Sequence, residues 1–174
     1  MKKRPLILID PGHGGSDPGA VAANVTEASI NMRVADVLGP MLFSEKFDVH
    51  FTRYFDQFPS LADRVALADA LKPDLFLSLH CNSATSPGAN GLEVFTSKGK
   101  TRSDNAATHL INALSHRFPD STIRADWTDG DPDKEADFYV LNNTRCPAVL
   151  VEMGFLSNDQ ERAWLLDEST PYLI

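Results

Sequence analysis

The chain has 174 residues, 43% of them hydrophobic and 9% aromatic, enough for one domain with a proper core. Its formal charge of −8 sets the surface against nucleic acid and anionic lipid, and no stretch approaches the roughly 20 apolar residues that span a bilayer. Two cysteines, Cys81 and Cys146, are too few for a disulfide framework or a cysteine-based zinc module, and both read as small core residues.

The start, "MKKRPLILID", is basic, but its apolar run is shorter than the roughly 7–15 residues of a signal peptide, so no export signal is expected. Leu6 to Ile9 form a short continuous apolar run, as in a strand covered on both faces. From Glu27 onward, Ile30, Val34, Leu38 and Met41 fall on one helix face, and Gly39-Pro40 is expected to kink or end that helix. "DVHFTR" (48–53) predicts a strand, and "SLADRVALADALKP" (60–73) a helix with Ser60 as N-cap. "DLFLSL" (74–79) predicts a buried strand and "GLEVF" (91–95) an edge strand. Residues 105–118 read as a helix, "ADFYVL" (136–141) as a strand, "PAVLVE" (147–152) as the last buried strand, and a short helix starts near Asn158. This order predicts a single α/β domain with a mainly parallel twisted sheet flanked by helices.

Three of the apolar runs end alike. "LILID" runs through Asp10 into Gly12-His13-Gly14, "LFLSL" into His80, and "AVLV" into Glu152. Sites in open α/β sheets lie beyond the carboxyl ends of the strands, so parallel neighbours would deliver His13, His80 and Glu152 to one rim. Glu27 is a fourth candidate, because a carboxylate on the buried face of a helix needs a partner, and a metal ion is one.

Each residue also has a plainer reading. His13 could simply sit on a glycine turn, and Glu27 could complete a capping box with Asn24. His80 could be a core histidine bonded to a carbonyl, and Glu152 could cap a turn or pair with Arg145. The spacing matches no local metal motif such as H-E-x-x-H, and there is no phosphate-binding G-K-S/T or G-x-G-x-x-G. Asp10 either orients a ligand histidine or forms a turn before Pro11-Gly12. His50 reads as facing solvent or one sheet face, and His109 and His116 as surface positions.

"ILIDPGHGGSDPGAV", then Glu27, then "LFLSLHCNSA", then "FYVLNNTRCPAVLVEMGFLSN" resemble the zinc-dependent N-acetylmuramoyl-L-alanine amidases of the amidase-3 type, over about residues 6–166. The resemblance implies cleavage of the amide between the lactyl group of N-acetylmuramic acid and the L-alanine of the peptidoglycan stem peptide. It implies Zn2+ as cofactor, His13, Glu27 and His80 as its ligands, and Glu152 as the catalytic glutamate. Peptidoglycan is then the partner, and a monomer is expected. About 40 residues separate Phe95 from Phe138, too few for the blocking helix that some members insert there, so constitutive activity is expected. Without insert or leader, the chain would be a phage or prophage lysin held in the cytoplasm until lysis. A bacterial wall-remodelling enzyme, periplasmic or extracellular with its leader removed, is the rival account. A non-catalytic peptidoglycan-binding module on the same scaffold is the competing class.

Overall fold

In the computed structural model, which describes residues 3–172, the chain alternates strands and helices almost throughout. β1 (Leu6–Pro11) leads through the two-residue strands β2 (Val21–Ala22) and β3 (Val25–Thr26) into α1 (Glu27–Ser44), then β4 (Asp48–Phe51). α2 (Leu61–Leu71), β5 (Leu75–Asn82), β6 (Glu93–Thr96) and α3 (Ser103–Arg117) follow. β7 (Lys134–Glu135), α4 (Tyr139–Asn143), β8 (Ala148–Phe155) and α5 (Asp159–Leu166) complete the order, before a short 3-10 turn at Thr170–Tyr172.

Six strands form one sheet in the order β4-β1-β5-β8-β6-β7. β4, β1, β5 and β8 are mutually parallel, β6 runs antiparallel to β8, and β7 is parallel to β6. The expected single α/β layer structure with a mainly parallel sheet is thus present. The continuous apolar runs have a direct cause: alternate residues of one strand enter different cores. Ile7, Ile9, Leu77, Leu79, Val149 and Val151 pack with Ile30 and Val34 of α1, Ala107 and Ile111 of α3, and Leu165 of α5. Leu8, Phe76, Ala148 and Leu150 face the other way, onto Ala68 of α2 and Val140 and Leu141 of α4.

The helix caps follow local chemistry. Ser60 caps α2 in a reciprocal box with Asp63, and the Asn158 side chain accepts from Gln160 and Glu161 to start α5. α1 is capped by Thr26 rather than Asn24, so Glu27 is not the far half of a capping box.

Four expectations are corrected. Of the two outcomes expected at Gly39-Pro40, an end is excluded: α1 continues through Pro40 to Ser44, with Leu38 and Leu42 packed on the core. Gly39 lets the helix close on β4, since a Cβ there would lie 2.4 Å from the Phe51 ring. "ADFYVL" is not a strand: its neighbouring residues Val140 and Leu141 both enter the same core, which a helix allows and an alternating strand does not. β6 is not an edge strand, because β7 pairs along its outer side. β5 and β8 run past Leu79 and Glu152, the expected strand ends, so His80 and Glu152 both lie inside their strands, beside a register shift between His80 and Asn82.

Candidate metal centre

The parallel pairing of β1, β5 and β8 places Pro11 beside Leu79, and His80 directly across from Glu152. Paired residues project from the same sheet face. His13 follows just past the end of β1, in the left-handed region at φ 61, a conformation costly for a side chain with a Cβ. Two buried arginines enforce it. Arg53 donates to the carbonyls of Pro11, Gly12 and Ala28, and Arg64 donates to those of Pro11 and His13. The glycines flanking this loop make room for ligand side chains. A Cβ at Gly12 would lie 2.2 Å from the His80 ring, and one at Gly19 would lie 2.6 Å from His13 and 2.7 Å from Glu27.

One ligand atom each from His13, Glu27 and His80 lies within 4.8 Å of the others. Nε2 of His13 is 3.2 Å and Nδ1 of His80 is 2.8 Å from the same Glu27 oxygen, Oε1. The other Glu27 oxygen accepts from the Ala20 amide. Nδ1 of His13 donates to Asp17 at 2.8 Å, so Nε2 faces the cluster. Glu27 is buried at the first position of α1. Two imidazoles and one carboxylate converging on a point is a donor set suited to a borderline divalent metal with one coordination position open.

The electrostatics describe a cluster holding protons where a cation would sit. The hydrogen bond to Glu27, aided by Asp17 and opposed by burial, raises the His13 imidazole from 6.5 to about 9. Burial pushes the Glu27 carboxyl up, but hydrogen bonds from His13 and His80 outweigh it and hold it well below the usual range. Glu152 differs: burial, with the nearby Glu27 and Glu93 charges, raises its carboxyl from 4.5 to about 7. Its Oε2 is buried and without a hydrogen-bond partner. That unsatisfied acceptor on the sheet face that carries His80 fits a proton carrier beside a metal.

His13, Glu27 and His80 therefore converge, Glu152 lies directly across from His80, and three plainer assignments do not hold: the Asn24 capping box, the Arg145 pair and the Asp10 support. Glu152 does not pair with Arg145, which lies 3.4 Å from Asp69 instead. Asp10 is not the group that orients a ligand histidine. It is buried, accepts from Thr52 and Ser78, and forms an ion pair with Arg64 at 2.6 Å. Asp17 takes that place; its only signal in the sequence is its position four residues after His13. Arg53, Arg64 and Glu93 are further residues that sequence reasoning missed. His50, His109 and His116 are exposed, and both cysteines are free. Between β6 and β7 the one helix among the described residues is α3, which packs with Val94 and Val151 on the face away from Glu93 and Glu152.

A parallel α/β scaffold that gathers three potential metal ligands beside a raised carboxylate has the groups that metal-assisted hydrolysis uses. The match of the amidase-3 family profile, N-acetylmuramoyl-L-alanine amidase, to residues 7–172 covers nearly the whole chain, and the chain belongs to that family. It is 34% identical to the endolysin of Bacillus phage SPP1 over 165 residues, covering 94% of this chain and 59% of that protein. It is 32% identical to the uncharacterized protein YqiI of Bacillus subtilis (strain 168), covering 89% of this chain and 72% of that protein. The crystal structure of N-acetylmuramoyl-L-alanine amidase from Clostridium difficile 630 superposes with a TM-score of 0.90 at 26% identity, covering 99% of this chain and 91% of that one. The chain spans about half to three quarters of the length of the curated relatives it matches.

Proposed function

We propose that this chain hydrolyses the amide between N-acetylmuramic acid and the L-alanine of the peptidoglycan stem peptide, with zinc held by His13, Glu27 and His80. The observation that carries the reading is the meeting of those three side chains within 4.8 Å, with Glu152 paired directly across from His80. Zinc bound there supplies a Lewis acid that lowers the pKa of water toward about 7 and polarises the scissile carbonyl.

The chain's own residues do the rest. Asp17 holds the His13 ring with Nε2 inward, and Glu27 is fixed by the Ala20 and Cys81 amides. Glu152, free of protein partners at Oε2, takes the proton of the attacking water and hands it to the departing alanine nitrogen. An amide nitrogen leaves poorly as an anion, so this second transfer is needed. A carboxyl raised to about 7 suits a group that must accept and then give a proton near neutral pH. Delivery to the cell wall, by lysis or by export, and constitutive activity as a monomer belong to the same reading.

Purified sacculi incubated with the zinc-loaded chain test it. Mass spectrometry should find free stem peptides with an L-alanine amino terminus, and a chelator should abolish them. Disaccharides or shortened peptides instead would point to another bond and refute the amidase reading.

A further inference from the structure

A charged cluster flanks the site on the side away from β1. Glu93 of β6 is the Cα partner of Glu152 and projects from the same sheet face, so His80, Glu152 and Glu93 form a row across three adjacent strands. Glu93 is buried, and its Oε1 accepts from Arg124 Nε at 2.6 Å and from Lys134 Nζ at 2.5 Å. Its Oε2 accepts from the Asn82 side chain. One carboxylate thus gathers two cations, and the trio carries a positive charge on a chain whose net charge is −8. The Arg124 side chain is 40% exposed, and its two Nη groups make no hydrogen bond among the described residues. Neither cation is needed for the proton chemistry.

We propose that Arg124 and Lys134, assembled on Glu93, form the subsite for the free carboxylate of the second residue of the stem peptide. The proposal rests on the amidase reading and adds to it the direction of the substrate and the feature that is read. Strand spacing of about 4.8 Å puts Glu93 roughly 10 Å from His80 along the row. An extended peptide advances about 3.3–3.6 Å per residue, so a peptide whose scissile carbonyl lies at the metal ligands carries its second residue about 7 Å along the row, past Glu152 and toward the cations gathered on Glu93. In peptidoglycan that residue is a glutamate joined through its side-chain carboxyl. Its α-carboxyl is therefore free, or is blocked as an amide in walls that amidate it. Two partly exposed cations suit the acid and gain little from the amide. The muramyl side then lies over the groove on the opposite flank, lined by His13, Phe58, Pro59, Leu61 and Val140 and continuous with the metal ligands.

The test uses two soluble disaccharide peptides that differ only in carrying the free acid or the amide at the second residue, with the zinc-loaded chain. The native chain should show a higher kcat/KM on the acid, by about tenfold for one charge-assisted hydrogen bond. Arg124→Gln should bring the acid-to-amide ratio toward one, and Arg124→Lys should keep most of the preference. Arg124 is the cleaner position, since Lys134 also lies near the Asp126 charge. A native ratio near one, or a ratio unchanged in Arg124→Gln, overturns the proposal while leaving the amidase reading intact. Failure of the native chain to cut either compound or sacculi refutes the amidase reading, and this one with it.

Discussion

Oδ2 of Asp17 lies 2.8 Å from Nδ1 of His13 and leaves Nε2 as the ring nitrogen that faces Glu27. A carboxylate behind a ligand imidazole sets its tautomer and raises its basicity. Asp17→Ala should weaken metal affinity by roughly 10–100-fold, measured by competition with a chromogenic chelator. Asp17→Asn keeps an acceptor oxygen and should lose less.

Glu152 touches none of the three metal ligands through a hydrogen bond, so its chemistry is separable from metal binding. Glu152→Gln should keep one bound zinc and lower kcat by roughly 10²–10⁴. Elemental analysis of the same sample used for the assay checks both halves. Loss of metal together with activity would place Glu152 among the ligands instead.

In the metal-free protein His13 holds a proton up to about pH 9, so metal uptake must displace it. Apparent affinity should rise with pH from 6 to 9, with protons released, as calorimetry in buffers of different ionisation enthalpy can measure. The metal-free fold should respond in the opposite sense. His13, raised from 6.5 to about 9, stabilises the fold below pH 6.5 and loses that contribution as pH rises through about 9. Glu152, raised from 4.5 to about 7, loses its contribution between those values. Both run the same way, so the melting temperature of the chelated protein should fall between about pH 5 and pH 9.

Arg64 joins the fold to the site. It pairs with buried Asp10 at 2.6 Å and donates to the carbonyl of His13 at 2.8 Å. Arg64→Met strands the Asp10 charge and should cost about 3–5 kcal/mol in urea unfolding. It should also weaken metal binding, because the strained His13 turn loses one of its clamps.

The strands that position the site were legible because β1, β5 and β8 are covered on both faces and read as unbroken apolar runs. Their shared habit of running into His or Glu pointed to one place, and the pairing sets His80 directly across from Glu152. The supporting residues were hidden by their own types. Asp17 sits among turn formers and Glu93 inside a short strand, so neither stands out as a functional group. Arg53 and Arg64 look like surface residues, and only the fold shows them buried against backbone carbonyls. "ADFYVL" misled because a short apolar run fits helix and strand alike, and its packing against α2 settled the matter.

The central claim is that His13, Glu27 and His80 hold a single catalytic zinc. The most direct measurement is zinc content after exhaustive dialysis, taken on the native chain, His13→Ala and His80→Ala, each confirmed folded by circular dichroism. The account predicts one zinc per native chain and none in either variant, with stem-peptide release lost in step. Zinc retained in both variants, or refused by the folded native chain, would contradict it.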